Sequence, residues 1–244
     1  MKLFVFLLVL LSAFTHALWN FFAKKESGNF PVLWNGLWIA NLVLLPYSLS
    51  TIIDSGFPLS ATPFMLGSGF AHALYFFTLA RAYEKTDISI AYPIARGVGV
   101  GGTTLIAVWL LREVVSAKGA AGILLICIGV LTIGLVGRKI KSGLRSMGWP
   151  VLVGLCTVSY SVLDKVGVFH AHPVVYINLS TIVAATLLSP YVFLRSKHKI
   201  WLAWATRWKM SALIGLGVVG TYLLILFAFR LEQASYIVAV REFS

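Results

Sequence analysis

The chain reads as apolar runs of roughly 20 residues separated by short polar or basic joints. Eight full runs can be counted, at 3–23, 31–53, 62–83, 88–111, 117–137, 147–166, 173–194 and 210–231. A ninth begins at Ala234 and reaches Ser244. A helix of about 20 residues spans the roughly 30 Å hydrocarbon layer. The predicted class is therefore all-α, a polytopic membrane helix bundle with eight full spans and a partial ninth. Lys2, the stretch Leu3–Leu11 and the small residues near Ala17 resemble a cleavable leader. The apolar character continues through Leu18, Trp19, Phe21 and Phe22 to Lys24 and Lys25, however, and that length predicts a first spanning helix.

The pattern repeats. Ala80–Glu84 near the end of the third run looks like Ala228–Glu232 near the end of the eighth. Ser89 to Arg96 parallels Ser235 to Arg241, and Trp19, Asn20 and Lys24 parallel Tyr160, Ser161 and Lys165. Five spans per copy is an odd number, so the second copy is expected to be inverted relative to the first. The division is 1–137 for the first five-helix repeat, 138–146 for a basic connecting loop, and 147–244 for a second, truncated repeat. By the repeat logic a full pair would need about 285 residues and ten spans, so the sequence is expected to be a fragment.

Composition sharpens the class. The 244 residues are 59% hydrophobic, 14% aromatic and 11% charged, against about 25% charged in a soluble domain. This excludes a soluble enzyme, a disordered tail and a coiled coil. The net charge of +12 would suggest nucleic acid in a soluble protein. Here the cations sit in the joints, so no nucleic-acid partner is expected, and the partner is the lipid bilayer. Thirteen of the 20 Lys and Arg follow odd-numbered runs and four follow even-numbered ones. Positive-inside logic places the odd joints in the cytoplasm. Cys127 and Cys156 lie inside apolar runs and suggest neither a disulfide framework nor a metal site.

Two stretches, Gly97–Gly102 and Gly215–Gly220, match the dinucleotide fingerprint but lie inside spans without the strand, helix and acid it requires. They read as small residues that let helices approach. Arg96 stands about nine residues into its apolar run, three after Pro93. A charge at that depth faces a cavity or a partner, and the proline is expected to kink the helix. Arg96 reads as a gate or substrate contact, or alternatively as one half of a structural ion pair. His16, Trp19 and Asn20 share one helical side, as do His72 and Tyr75. Such convergent groups suit a small-molecule site or interhelical hydrogen bonding. Trp38, flanked by Asn35 and Asn41, is a weaker case, and Tyr160 and Ser161 mirror the first-run cluster. Asp164 and Lys165 lie near a helix end, where a solvated pair is expected. Asn178 fits a glycosylation acceptor but is buried in a span, and Trp201, Trp204 and Trp208 read as an interfacial stretch.

The motifs His16–Asn20 with Lys24, Ala82–Tyr83, Ser89 with Tyr92–Gly97, Leu111–Glu113, and Gly122 with Gly129–Leu131 resemble the EamA family of the drug/metabolite transporter superfamily. The resemblance implies ten helices in two inverted repeats around a mid-membrane cavity, in a bacterial inner membrane. The expected function is a secondary transporter that moves a small polar metabolite by alternating access. The substrate pathway is expected at His16, Trp19, Asn20, Trp38, His72, Tyr75, Tyr92, Arg96, Tyr160, Ser161 and Tyr222. Pro93 and Gly97 are the gating positions, and Glu242 and Asp164 the candidates for ion coupling. No cofactor, metal or catalytic residue is expected. Neither His-Glu-x-x-His nor Gly-x-Ser-x-Gly occurs, which argues against an intramembrane enzyme. The alternative is a non-transporting truncated remnant or a subunit completed by a partner chain; the partners expected besides the small-molecule substrate are a second copy in a homo-oligomer or such a completing chain.

Overall fold

The computed structural model describes residues 2–26, 29–135 and 147–243. Among the described residues eight α-helices follow one another: α1 (Leu3–Lys25), α2 (Phe30–Ser55), α3 (Thr62–Lys85), α4 (Ile88–Leu110), α5 (Ala117–Leu135), α6 (Gly148–Gly167), α7 (Pro173–Leu231) and α8 (Ala234–Val240). Short 3-10 turns, Leu59–Ala61 and Arg241–Phe243, complete the order, and no strand occurs among the described residues. The predicted basic loop at 138–146 lies outside the described residues.

Local chemistry sets the boundaries. Proline occupies the first turn of α2, α3 and α7, where its missing N–H costs nothing. The Asp87 carboxylate accepts from the Ser89 N–H at 2.9 Å and caps α4. Lys24 and Lys25 fill the last turn of α1, where the helix dipole favours cations. Gly56, at φ +80°, ends α2 in a conformation that side chains resist.

Among the described residues four helices are long and apolar enough to cross a membrane: α1, α2, α4 from Ser89, and α7; α5 carries a shorter apolar stretch, Ala117–Val130. The sequence reading counted eight full spans. The difference comes from α3 and α6, which have spanning length, 24 and 20 residues, but carry Ser68, His72 and Thr78, or Ser161 and Asp164, toward the interior. A second difference is α7. The two expected spans at 173–194 and 210–231 form one run of 59 helical residues, broken only at Ser196, φ −141° and ψ 22°. The expected joint between them is itself helical, with Trp201 and Trp208 exposed. A straight helix would hold Tyr176 and Tyr222 about 70 Å apart. Both hydroxyls reach Asp164, so α7 folds back at Ser196 into two arms.

The bundle is held along α2 and α7. Gly36 and Gly215 touch backbone to backbone: a Cβ on Gly215 would lie 1.9 Å from the Gly36 carbonyl oxygen. This is the close approach that small residues permit, and it accounts for the second glycine pattern. The Asn178 amide donates to the Asn41 carbonyl at 3.0 Å, and the Thr181 hydroxyl donates to Asn41 Oδ1 at 2.5 Å. Asn178 is thus fully buried and tied between helices. The Trp34 indole donates to the Ala185 carbonyl at 3.0 Å. The α1 helix packs on the second arm of α7, where Ser12 donates to the Thr221 carbonyl at 3.0 Å. The outer surface is apolar, with Ile53, Leu105, Trp109, Leu125 and Leu194 exposed. Such a belt suits contact with lipid tails.

Candidate functional site

The first glycine pattern seats α4 on α6. A Cβ on Gly102 would meet Val158 at 2.6 Å, and one on Gly99 would meet Thr157 at 3.1 Å. The backbone of α4 stays helical through Pro93 and Gly97. Hydrogen bonding between later residues of α4 continues the helix although Pro93 offers no N–H.

Close seating of α4 carries Arg96 inward. Its guanidinium is held from three directions. It donates to Glu242 Oε1 at 2.9 Å, to the Tyr92 hydroxyl at 2.7 Å and to His16 Nε2 at 3.3 Å. The guanidinium also lies 4.9 Å from the centre of the Tyr92 ring. Both readings of Arg96 from sequence therefore meet in one place: it has an ion-pair partner, and it sits among other candidate pathway groups. Asn20 Nδ2 lies 2.8 Å from the same His16 nitrogen, and the Trp19 ring packs edge-on to His16 at 4.8 Å. A guanidinium can only donate, so His16 Nε2 accepts and its proton sits on Nδ1. That Nδ1–H is buried and has no acceptor. Glu242, a candidate for ion coupling, is the counter-ion of Arg96.

A second cluster forms around α6. The Asp164 carboxylate is completely buried. Tyr176 donates to one oxygen at 2.8 Å and Tyr222 makes a very short bond to the other. The expected solvated Asp164–Lys165 pair is therefore corrected. The first arm of α7 folds over the end of α6, with the Tyr176 ring against Gly167, and shuts out water. Lys165 points the other way, donating to the carbonyls of Phe229 and Glu232 at the end of α7, the latter at 2.6 Å. Around Asp164, the His72 ring stacks on Tyr160 at 4.2 Å and meets Tyr222 at 5.2 Å. Tyr75 meets Tyr160 edge-on at 5.8 Å. Ser161 is buried on the same helix.

The clusters join through Arg241, whose guanidinium lies 5.3 Å from the centre of the Tyr222 ring. Its Nε is buried without an acceptor. The site thus has a cationic, donor-rich pole and a carboxylate pole, with tyrosine rings between them. Trp38 packs edge-on to Trp34 at 6.2 Å. Tyr176 and Arg241 were not among the sequence-predicted site residues. Arg241 had a signal, since it is the repeat counterpart of Arg96; Tyr176 had none beyond a hydroxyl in an apolar run.

Two open cavities, about 420 and 340 Å³, adjoin at one end of the bundle. They are lined by Leu111, Glu113, Lys165 and neighbouring residues of the joints after α4, α6 and α7. Glu113 there accepts from the Ala234 and Ser235 N–H groups at 2.6 and 3.1 Å and caps α8. At the other end, Arg207 pairs with Glu26 at 3.3 Å. Among the described residues no group of His, Cys, Asp and Glu is placed to hold a metal ion.

Residues 55–126 match the model of the Small Multidrug Resistance protein family, a drug/metabolite-type transporter family. The matched segment carries His72, Tyr75, Tyr92, Pro93, Arg96 and Gly97. No curated protein matches the chain. The match and the apolar helices point to a membrane protein that handles small molecules, and to transport in preference to catalysis.

Proposed function

We propose that this chain is a secondary transporter of the EamA kind, which moves a small polar metabolite by alternating access through the space between α1, α3, α4, α6 and the second arm of α7. The observation that carries the reading is Arg96. A guanidinium inside an apolar bundle is costly, and here α1, α4 and the turn after α8 all supply partners to it. Beside it stand a buried histidine N–H and a buried arginine Nε–H without acceptors. Buried donors are normally satisfied, and a cargo with acceptor oxygens would satisfy them.

The sequence parallels between the two halves support a mechanism built on two inverted repeats. In that scheme α6 corresponds to α1, and the second arm of α7 corresponds to α3. The contact of α1 with the second arm, through Ser12 and Thr221, then has its counterpart in the contact of α6 with α3, through Tyr160 and His72. Rocking of one repeat against the other exposes a site between them to each face in turn.

The test is uptake of labelled polar metabolites, anionic, zwitterionic and neutral, into proteoliposomes. One class is expected to enter faster than into protein-free vesicles. Arg96→Ala is expected to bring that uptake to background in protein that still elutes as a folded species. Wild-type protein that moves none of the three classes overturns the proposal.

A further inference from the structure

We propose that Lys165 is a latch that closes one end of the pathway, and that Lys24 makes the equivalent latch at the other end when the protein faces the opposite way. The inference rests on the transport reading above and names the residues that set which face is open.

Lys165 donates to the carbonyl oxygens of Phe229 and Glu232. The first of these is one of the last four carbonyls of α7, which have no partner within the helix. A cation there is also favoured by the helix dipole. The contact therefore ties α6 to the end of the second arm of α7. Glu113, from the joint after α4, ties the start of α8 at the same place, with its Oε2 also accepting from the Ser235 hydroxyl at 2.7 Å. Behind this closure, one residue away on α6, lies Asp164 with its tyrosines. In front of it lies the open cavity of about 420 Å³. Lys165 thus stands between the outside and the buried cluster.

The repeat supplies the counterpart. Trp19, Asn20 and Lys24 parallel Tyr160, Ser161 and Lys165, and Ala80–Glu84 parallels Ala228–Glu232. Phe229 then corresponds to Arg81, and Glu232 to Glu84. The Glu84 carbonyl is one of the last four of α3 and is orphaned for the same reason, while that of Arg81 stands one residue before them. In this structure Lys24 is exposed and donates no hydrogen bond among the described residues, while Lys165 is engaged. One latch is made and its counterpart is open, as one state of an alternating pair requires. The two latches exclude each other if closing one end separates the helices that close the other.

The experiment replaces Cys127 and Cys156 with serine and introduces Ser161→Cys as the reporter. Its labelling rate by a membrane-impermeant thiol reagent is read in right-side-out and inside-out membrane vesicles. The parent is expected to label from both faces. Lys165→Met is expected to raise labelling from the Lys165 end by about tenfold, the equivalent of one charged hydrogen bond, and to lower it from the Lys24 end. Lys24→Met is expected to do the reverse, and Lys165→Arg to behave as the parent. Because Lys24 is exposed, its substitution tests the latch even where Lys165→Met does not fold. Both faces reacting at parental rates in both methionine variants overturns the latch and leaves the transport reading standing. A reporter that reacts from one face only, or from neither, in every variant overturns alternating access and the latch together.

Discussion

At the scale of single residues, the site is a set of charges whose partners arrive from distant parts of the chain. Arg96 is legible in the sequence because a cation deep in an apolar run has few explanations. Glu242 as its counter-ion is not legible, since the pair joins positions 146 apart. Asp164 shows the opposite error. Its position near the end of α6 suggests water, but exposure depends on what covers a helix end, and Tyr176 covers this one. A planar fork reaches Glu242, Tyr92 and His16 together, and an ammonium cannot. Arg96→Lys is therefore expected to lose at least about tenfold in transport rate while keeping the fold, as uptake and gel filtration would show. Asp164→Leu leaves two buried tyrosine hydroxyls without an acceptor. A loss of about 2–5 kcal/mol in unfolding stability is expected, measured by denaturant titration in detergent, with Asp164→Asn costing clearly less.

At the scale of elements, the seam between α2 and α7 is closely packed, backbone against backbone at Gly36 and Gly215. The glycine patterns were legible as packing devices because neither has the flanking elements of a nucleotide site. Gly36 and Gly215 as each other's partners could not be read, because nothing along either helix marks the position opposite. The polar residues of the seam divide in the same way. Asn41 reads as a flank of the weaker Trp38 cluster and Asn178 as a buried glycosylation acceptor, yet each is the other's partner. Gly215→Leu would drive a side chain into the Gly36 carbonyl. It is expected to abolish the folded, monodisperse species or to cost more than about 4 kcal/mol. Asn41→Ala leaves the Asn178 amide short of an acceptor and should cost about 1–2 kcal/mol by the same titration.

For the whole molecule, the distribution of cations and the positions of the joints agree. The joints after α4, α6 and α7 meet at one end, and Glu26 and Arg207 meet at the other. The end bearing Lys24, Lys25, Arg81 and Lys85 is the one the positive-inside rule assigns to the cytoplasm. Cysteines placed at Lys25 and Asp54 are accordingly expected to label from opposite faces, Lys25 from the cytoplasmic one. Labelling of both from one face would show that α2 does not cross. That the chain is a series of apolar helices could be read from hydropathy, because lipid-facing helices must be apolar along their length. The inner helices α3 and α6 blur that signal, since the polar groups that build the site lower their hydropathy.

The break at Ser196 also bears on how the chain fits a bilayer. An uninterrupted helix of this length would stretch about 88 Å and could not be housed within one membrane. With the bend, the two arms form a helical hairpin whose tip carries Arg195, Lys197, Lys199, Arg207 and Lys209. The hairpin brings Tyr176 on one arm and Tyr222 on the other to the same carboxylate, that of Asp164. A single residue of irregular backbone thereby turns one overlong segment into a folded pair.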